Sequence, residues 1–276
     1  MTGSKPRRLS VRKYSATGNT FVLLDLRDAA NRALKAASLP AAARRLSGEF
    51  ATDGLIAISG VKSSKPAVRM TFFNPDGSRA FCGNGTRTSG FYEWGRRRVP
   101  PGGAIMVLTD AGAIPVGVKK SAAALLNIEP PRFMEPAAVE IEAGGSLSAI
   151  FHRVWSGCPH AVCLVPSVRD AAVESIGRSV RYHRAFAPEG TNVDFVEVLA
   201  PGRLAVRTYE RGVERETKSC GSGVLASVFA AKSLGKIPGP IADVQTQGGR
   251  MKVVADGGHY GLEGGIDLVF EGGVFI

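Results

Sequence analysis

Two of the four cysteines in this chain stand directly before Gly-x-Gly: Cys82 in FCGNGTRTSGFYEW and Cys220 in SCGSGVLASVF. Each precedes a stretch that reads as a helix. A helix start offers unsatisfied backbone N–H groups and a positive dipole end, which favour a thiolate and lower a cysteine pKa. The glycines let an anionic group approach the same backbone closely. One local design can therefore activate a thiol and hold a carboxylate beside it. Two such elements acting together suit racemisation. One thiolate removes a proton from Cα, an opposing thiol delivers another to the other face, and fixed dipoles stabilise the charge developing on the carboxylate. No pyridoxal phosphate is needed for that chemistry.

A lone cysteine is most often a small buried hydrophobe. Glycine fills 34 of 276 positions, so Gly-x-Gly follows a given cysteine by chance about 1.5% of the time. Two of four doing so favours the functional reading.

The elements that must position these thiols come in two sets. Cys82 and Cys220 are separated by half of the 276-residue chain, and GNTFVLLD from Gly18 and GCPHAVCLV from Gly157 repeat at nearly the same interval. Short strand-like runs fill both halves: TFVLLDL, GLIAISGV, AVRMTFFN, AIMVLTD and AIPVGVKK, then AIFHRVWSG, HAVCLVP, NVDFVEVL, RLAVRTYE, RMKVVADG and IDLVFEG. Helices are expected over 40–46, where a proline stands near the start, over 85–94, and over 222–234 with Gly235 as a stop. The last is apolar nearly all round, as suits a helix buried inside a curved sheet. Prolines cluster in NIEPPRFMEP (127–136), marking a join between domains. The expected fold is α/β (α+β), with two domains: 1–130, completed by a C-terminal strand over 266–276, and 131–265.

Composition excludes several classes. With 44% hydrophobic and 21% charged residues the chain is globular, and no apolar run reaches the length of a membrane span. The N-terminus is basic without an apolar signal core, so a cytoplasmic protein is expected. The net charge of +11 comes from scattered residues with short clusters at KPRR and Arg96–Arg98. It reads as a solvated surface, with no nucleic-acid or membrane partner expected. The chain lacks a C-x-x-C pair, and Cys158-Pro159-His160 is poorly spaced for two ligands of one ion, so no metal is expected. Cys163, within AVCLV, reads as core.

The stretches ATGNTFVLLD, TDGLIAI, FFNPDGSRAFCGNGTR, GCPHAV, GTNVDFVEV and YERGVERETKSCGSGV, in that order, resemble the diaminopimelate epimerase family from about residue 11 onward. The resemblance implies two pseudo-symmetric domains, each a curved, mostly antiparallel sheet wrapped around a central helix, with the active site in the cleft between them. It implies cofactor-independent, two-base interconversion of L,L- and meso-diaminopimelate, a step toward lysine and peptidoglycan precursors. Cys82 and Cys220 match the catalytic cysteines, and His160 and Glu210 the positions that tune them. Gly83, Asn84, Gly221 and Ser222 fall where the reacting carboxylate binds. Asn19, Asn74, Asn192 and Arg211 match side chains that hold the amino-acid substrate, with Glu210 able to pair with its ammonium. Gly54 would act through its backbone, since some members carry glutamine there. A homodimer is compatible with the family.

Three departures stand out: Cys158 replaces the asparagine of G-N-P-H, ERGVERETKSC is one residue longer than the commonest form, and Gly54 replaces that glutamine. Cys158 puts a third thiol at a substrate-binding position near His160, which implies sensitivity to oxidation. Alternatives are a racemase of another amino acid, such as histidine, on the same fold, and a basic non-catalytic nucleic-acid-binding protein.

Overall fold

The computed structural model describes residues 7–100, 102–143, 147–256 and 258–275. The chain divides into two compact units, residues 1–126 with 265–276, and residues 127–264.

The first unit runs β1 (Arg8–Ala16), β2 (Asn19–Asp25), α1 (Leu39–Glu49), β3 (Leu55–Ser59), β4 (Ala67–Phe73), β5 (Arg79–Ala80), α2 (Gly83–Arg97), β6 (Ala104–Thr109), β7 (Gly112–Lys119) and β8 (Ala122–Ile128). Neighbours pair antiparallel except at two places, β2–β3 and β4–β6, where a helix crosses between parallel strands. The second unit repeats the order with β9 (Arg132–Ala143), β10 (Leu147–Trp155), β11 (Pro159–Leu164), α3 (Val173–Arg181), β12 (Asn192–Ala200), β13 (Arg203–Glu210), β14 (Arg215–Thr217), α4 (Gly221–Ser233), β15 (Ile241–Thr246), β16 (Gly249–Asp256) and the first part of β17 (His259–Phe275), whose residues from 265 onward complete the first unit as its ninth strand. Its parallel pairs are again those spanned by helices, β11–β12 and β13–β15.

The halves therefore correspond strand for strand, with α1 matching α3 and α2 matching α4. In each unit the second helix packs against most strands of its sheet: α2 against β1, β3, β4, β6 and β7, and α4 against β10 to β13 and β16. This is the expected mostly antiparallel sheet around a central helix.

The two central helices are buried by different means. Val224, Leu225, Ala226, Val228, Ala230 and Ala231 of α4 meet Val162, Val196, Leu204 and Val244 in an ordinary apolar core. The buried residues of α2 include Thr86, Thr88, Ser89, Arg87 and Glu93. Their hydroxyls turn back on the helix, Thr86 to the Cys82 carbonyl, Thr88 to Asn84 and Ser89 to Gly85, so each is satisfied without water. Glu93 is paired with Arg27 and Arg97.

Helix α2 extends beyond the expected 85–94 because Cys82 caps its start and Arg98, in the left-handed conformation at φ 53°, closes its end. The segment 127–136, read as a join, contains the first residues of β9. A strand that pairs antiparallel with β10 tolerates its prolines where no ladder N–H is needed. Among the described residues, no helix is long and apolar enough to cross a membrane.

Candidate active site

In the first unit the site residues gather at the start of α2. Cys82 is the N-cap, with extended backbone at φ −140°, and the Gly85 N–H donates to its sulfur at 3.3 Å. A sulfur thus takes the place of the usual cap oxygen. Cys82 Sγ lies 3.9 Å from Asn19 Oδ1, which also accepts from Asn84 Nδ2 at 3.3 Å. Arg87, wholly buried, donates to Asn84 Oδ1 at 2.7 Å and to Thr17 Oγ1 at 3.3 Å. Thr17 and Gly18 both have positive φ, the turn that brings Asn19 to this point. Cys82, Asn19, Asn84 and the backbone of Gly83 thus form one cluster, and Arg87 sets its orientation from below.

Two expected residues are engaged elsewhere in the first unit. Asn74 closes the β4–β5 turn, its Nδ2 donating to Ser78 Oγ at 2.9 Å while its carbonyl accepts from Gly77. The Gly54 carbonyl accepts from Val22 N–H at 3.0 Å. A Cβ at Gly54 would lie 2.5 Å from the Phe72 ring, so close packing already requires glycine there.

The second unit gathers more. Cys158 Sγ is 3.3 Å from His160 Nε2, and His160 Nδ1 is 2.7 Å from Asp194 Oδ2. His160 and Asp194 are both fully buried. Asp194 accepts a further bond from Thr208 Oγ1 at 2.7 Å. Asn192 Nδ2 donates to Cys158 Sγ at 3.4 Å and to the Pro159 carbonyl at 3.0 Å, and Asn192 Oδ1 accepts from the Arg211 N–H. Ser222 Oγ touches His160 Nε2 at 3.0 Å and Cys220 Sγ at 3.4 Å. Cys220 caps α4, and the next-but-two residue, Gly223, lets the helix settle on the acid: a Cβ there would stand 2.4 Å from Asp194 Oδ1. Gly221 is the first residue of that helix. His160 also borders a cavity of about 270 Å³ lined in part by Arg153, Glu189 and Thr191.

Electrostatics here divide the thiols. Burial by itself would lower the His160 pKa, but the Asp194 charge and hydrogen bond, with a contribution from Cys158, raise it to about 10. The imidazole is therefore a cation at neutral pH. Burial would raise the Cys158 pKa, yet the His160 bond and charge, aided by Ser222 and Arg211, bring it below the ordinary thiol value. Cys220 goes the other way. Its burial, then the charges of Glu210 and Asp194, hold its pKa well above the usual range. This corrects the expectation that the helix start lowers the pKa of Cys220: desolvation and two carboxylates outweigh the dipole.

Cys163 is buried in the core, as read from sequence, and burial pushes its pKa up to about 11. Asp194 and Arg87 are the residues that sequence reasoning missed. A carboxylate inside the apolar strand NVDFVEV was the available signal, since buried acids require partners.

The fold is shared with several solved structures. A PhzF-family phenazine biosynthesis protein from Bacillus anthracis superposes with a TM-score of 0.72 at 16% identity, covering 98% of this chain and 100% of that one. A hydroxyproline epimerase from Agrobacterium vitis gives 0.67 at 14%, covering 98% and 93%. At the sequence level, residues 153–260 match the family model described as diaminopimelate epimerase. The diaminopimelate epimerase of Hydrogenobaculum sp. (strain Y04AAS1) is 34% identical over 95% of this chain and 97% of that relative. That of Thermotoga maritima is 34% identical over 94% and 99%. The chain belongs to the diaminopimelate epimerase family.

Proposed function

We propose that the protein interconverts L,L- and meso-diaminopimelate by two-base proton transfer at Cα, with Cys82 and Cys220 acting on opposite faces of that carbon. The observation that carries this reading is the pair of cysteines, each the N-cap of the central helix of its own unit, in a chain of this family. The residues at each helix start, Gly83 with Asn84 and Gly221 with Ser222, present N–H groups to the reacting carboxylate and stabilise the charge that grows on it. His160 and Glu210 set the charge around Cys220. Asn19, Asn192 and Arg211 hold the substrate, Arg211 as a partner for its distal carboxylate. Asn74 and Gly54 belong to the same reading through rearrangement of the β4–β5 turn and through backbone. The reaction requires no organic cofactor.

The test is solvent deuterium incorporation at Cα, followed by NMR on reduced enzyme given L,L-diaminopimelate or L-histidine. Exchange with inversion of diaminopimelate alone is expected. Exchange of histidine alone would keep the two-thiol chemistry and replace the substrate, and exchange of neither would remove both.

A further inference from the structure

The Ser222 hydroxyl stands among three groups that can trade a proton. Its oxygen lies 3.4 Å from Cys220 Sγ, 3.0 Å from His160 Nε2 and 3.6 Å from Cys158 Sγ. A hydroxyl has one donor hydrogen and two acceptor positions, so it can receive from one neighbour while giving to another. The seat of Ser222 is fixed. Its carbonyl accepts from Ser156 Oγ at 2.8 Å, and its neighbour Gly223 rests against Asp194.

We propose that Ser222 relays the proton of Cys220 to Cys158, the Cys158–His160 pair serving as the store from which Cys220 becomes a base. This rests on the epimerase reading and extends it to how one of its two thiols is charged. The relay starts from Cys220 as S–H, Cys158 as the thiolate of the pair and His160 as an imidazolium bonded through Nδ1 to Asp194. Cys220 gives its proton to Ser222 Oγ as Ser222 gives its own to Cys158 Sγ. One S–H and one O–H bond break, one O–H and one S–H bond form, and the negative charge passes from Cys158 to Cys220. Cys220 can then take the Cα proton, and the reverse transfer restores it as a thiol.

The surroundings explain why a relay is needed. The groups facing the two sulfurs are His160 from β11, Asp194 and Asn192 from β12, Glu210 at the end of β13, Arg211 just beyond it, and Ser222 from α4. Ionising Cys220 while Cys158 stays charged would place two negative sulfurs on either side of one hydroxyl, beside two carboxylates. The Cys158 charge itself opposes ionisation of Cys220. Moving one charge between the sulfurs avoids that repulsion, and the pair titrates as a unit.

The experiment compares the full-length wild type with Ser222→Ala, which keeps the helix-start N–H, and Ser222→Thr, which keeps the hydroxyl. Steady-state kinetics with L,L-diaminopimelate are measured in mixtures of light and heavy water, and the free enzymes are labelled with iodoacetamide across pH and mapped by mass spectrometry. Ser222→Ala should lose about 10²-fold in kcat, the lower end for a lost proton-transfer group, with KM within roughly a factor of two. Ser222→Thr should recover most of that loss. The proton inventory should be curved in wild type and linear in Ser222→Ala. Cys158 should be alkylated ahead of Cys220 at pH 6, and Cys158→Ser should shift the acid limb of the kcat profile upward. An active wild type with an equally active Ser222→Ala overturns the relay and leaves the epimerase reading standing, as does labelling of Cys220 first. A wild type inert toward diaminopimelate removes both, and is told apart by its own lack of exchange.

Discussion

Burial alone would strip His160 of its proton, and it is the wholly buried Asp194, 2.7 Å away, that keeps the imidazole charged up to about pH 10. Because the folded pKa lies above the ordinary histidine value of 6.5, the pair contributes stability that is full below about pH 6.5 and is lost as pH rises through about 10. Wild type should therefore exceed His160→Gln in urea midpoint by most at pH 6, and the gap should close toward pH 10. A gap constant with pH would mean that the histidine is not charged in the fold. At this scale Cys82 and Cys220 stood out because Gly-x-Gly follows each of them, whereas Cys158 and His160 were singled out only through the family resemblance. Asp194 was signalled only by its place inside an apolar strand, and its partner His160 becomes identifiable only once the neighbouring strands show which face is inward. The raised pKa of Cys220 was also hidden. It depends on Glu210 and Asp194, residues distant in sequence from the helix start they oppose.

At the level of elements, glycine decides how closely a central helix can lie against its sheet. A Cβ at Gly90 of α2 would stand 2.5 Å from Val116 Cγ1 and 2.6 Å from Val116 Cβ on β7. Alanine would gain about 1 kcal/mol in helix propensity, while overpacking costs about 1–3 kcal/mol, so Gly90→Ala should destabilise the protein by up to about 2 kcal/mol. Adding Val116→Ala should rescue little, because the Val116 Cβ remains in place. Full rescue in a denaturation series would locate the conflict in the branched methyls instead. The sequence suggested a weaker, shorter helix here, since Gly90 and the hydroxyl residues argue against one. In the fold those hydroxyls bond to the preceding turn and the glycine is a contact surface. Helix α4 was legible almost to the residue because its mostly apolar surface and the following Gly235 mark it plainly, although Gly223 is again a contact surface, against Asp194.

For the molecule as a whole, the repeat seen in two C-G-x-G landmarks is a repeat of complete units, each with a cysteine at the N-cap position of its central helix, although only the Cys82 sulfur accepts a capping bond. Sequence showed the period through a few landmark residues, Cys82 and Cys220 before Gly-x-Gly and the glycines at 18 and 157. It could not show the strand-for-strand correspondence, because the two sheets keep the same pairing with different side chains. The chain also returns to its first unit at the end: β17 pairs with β1 from Ile266 opposite Ala16 to Phe275 opposite Arg8. Val274 packs over the cluster containing Leu9 and Val11, both buried. Ending the chain after Gly264 would leave β1 without its partner along that edge and expose those side chains. Hydrogen exchange should then quicken through β1 and β2 while β12 and β13 of the second unit stay protected. Activity should fall with the first unit, which carries Cys82. A peptide of residues 265–276 supplied in trans should restore protection and activity together by adding the missing strand. Unchanged exchange in β1 after truncation would show that the first unit holds its sheet without the returning strand.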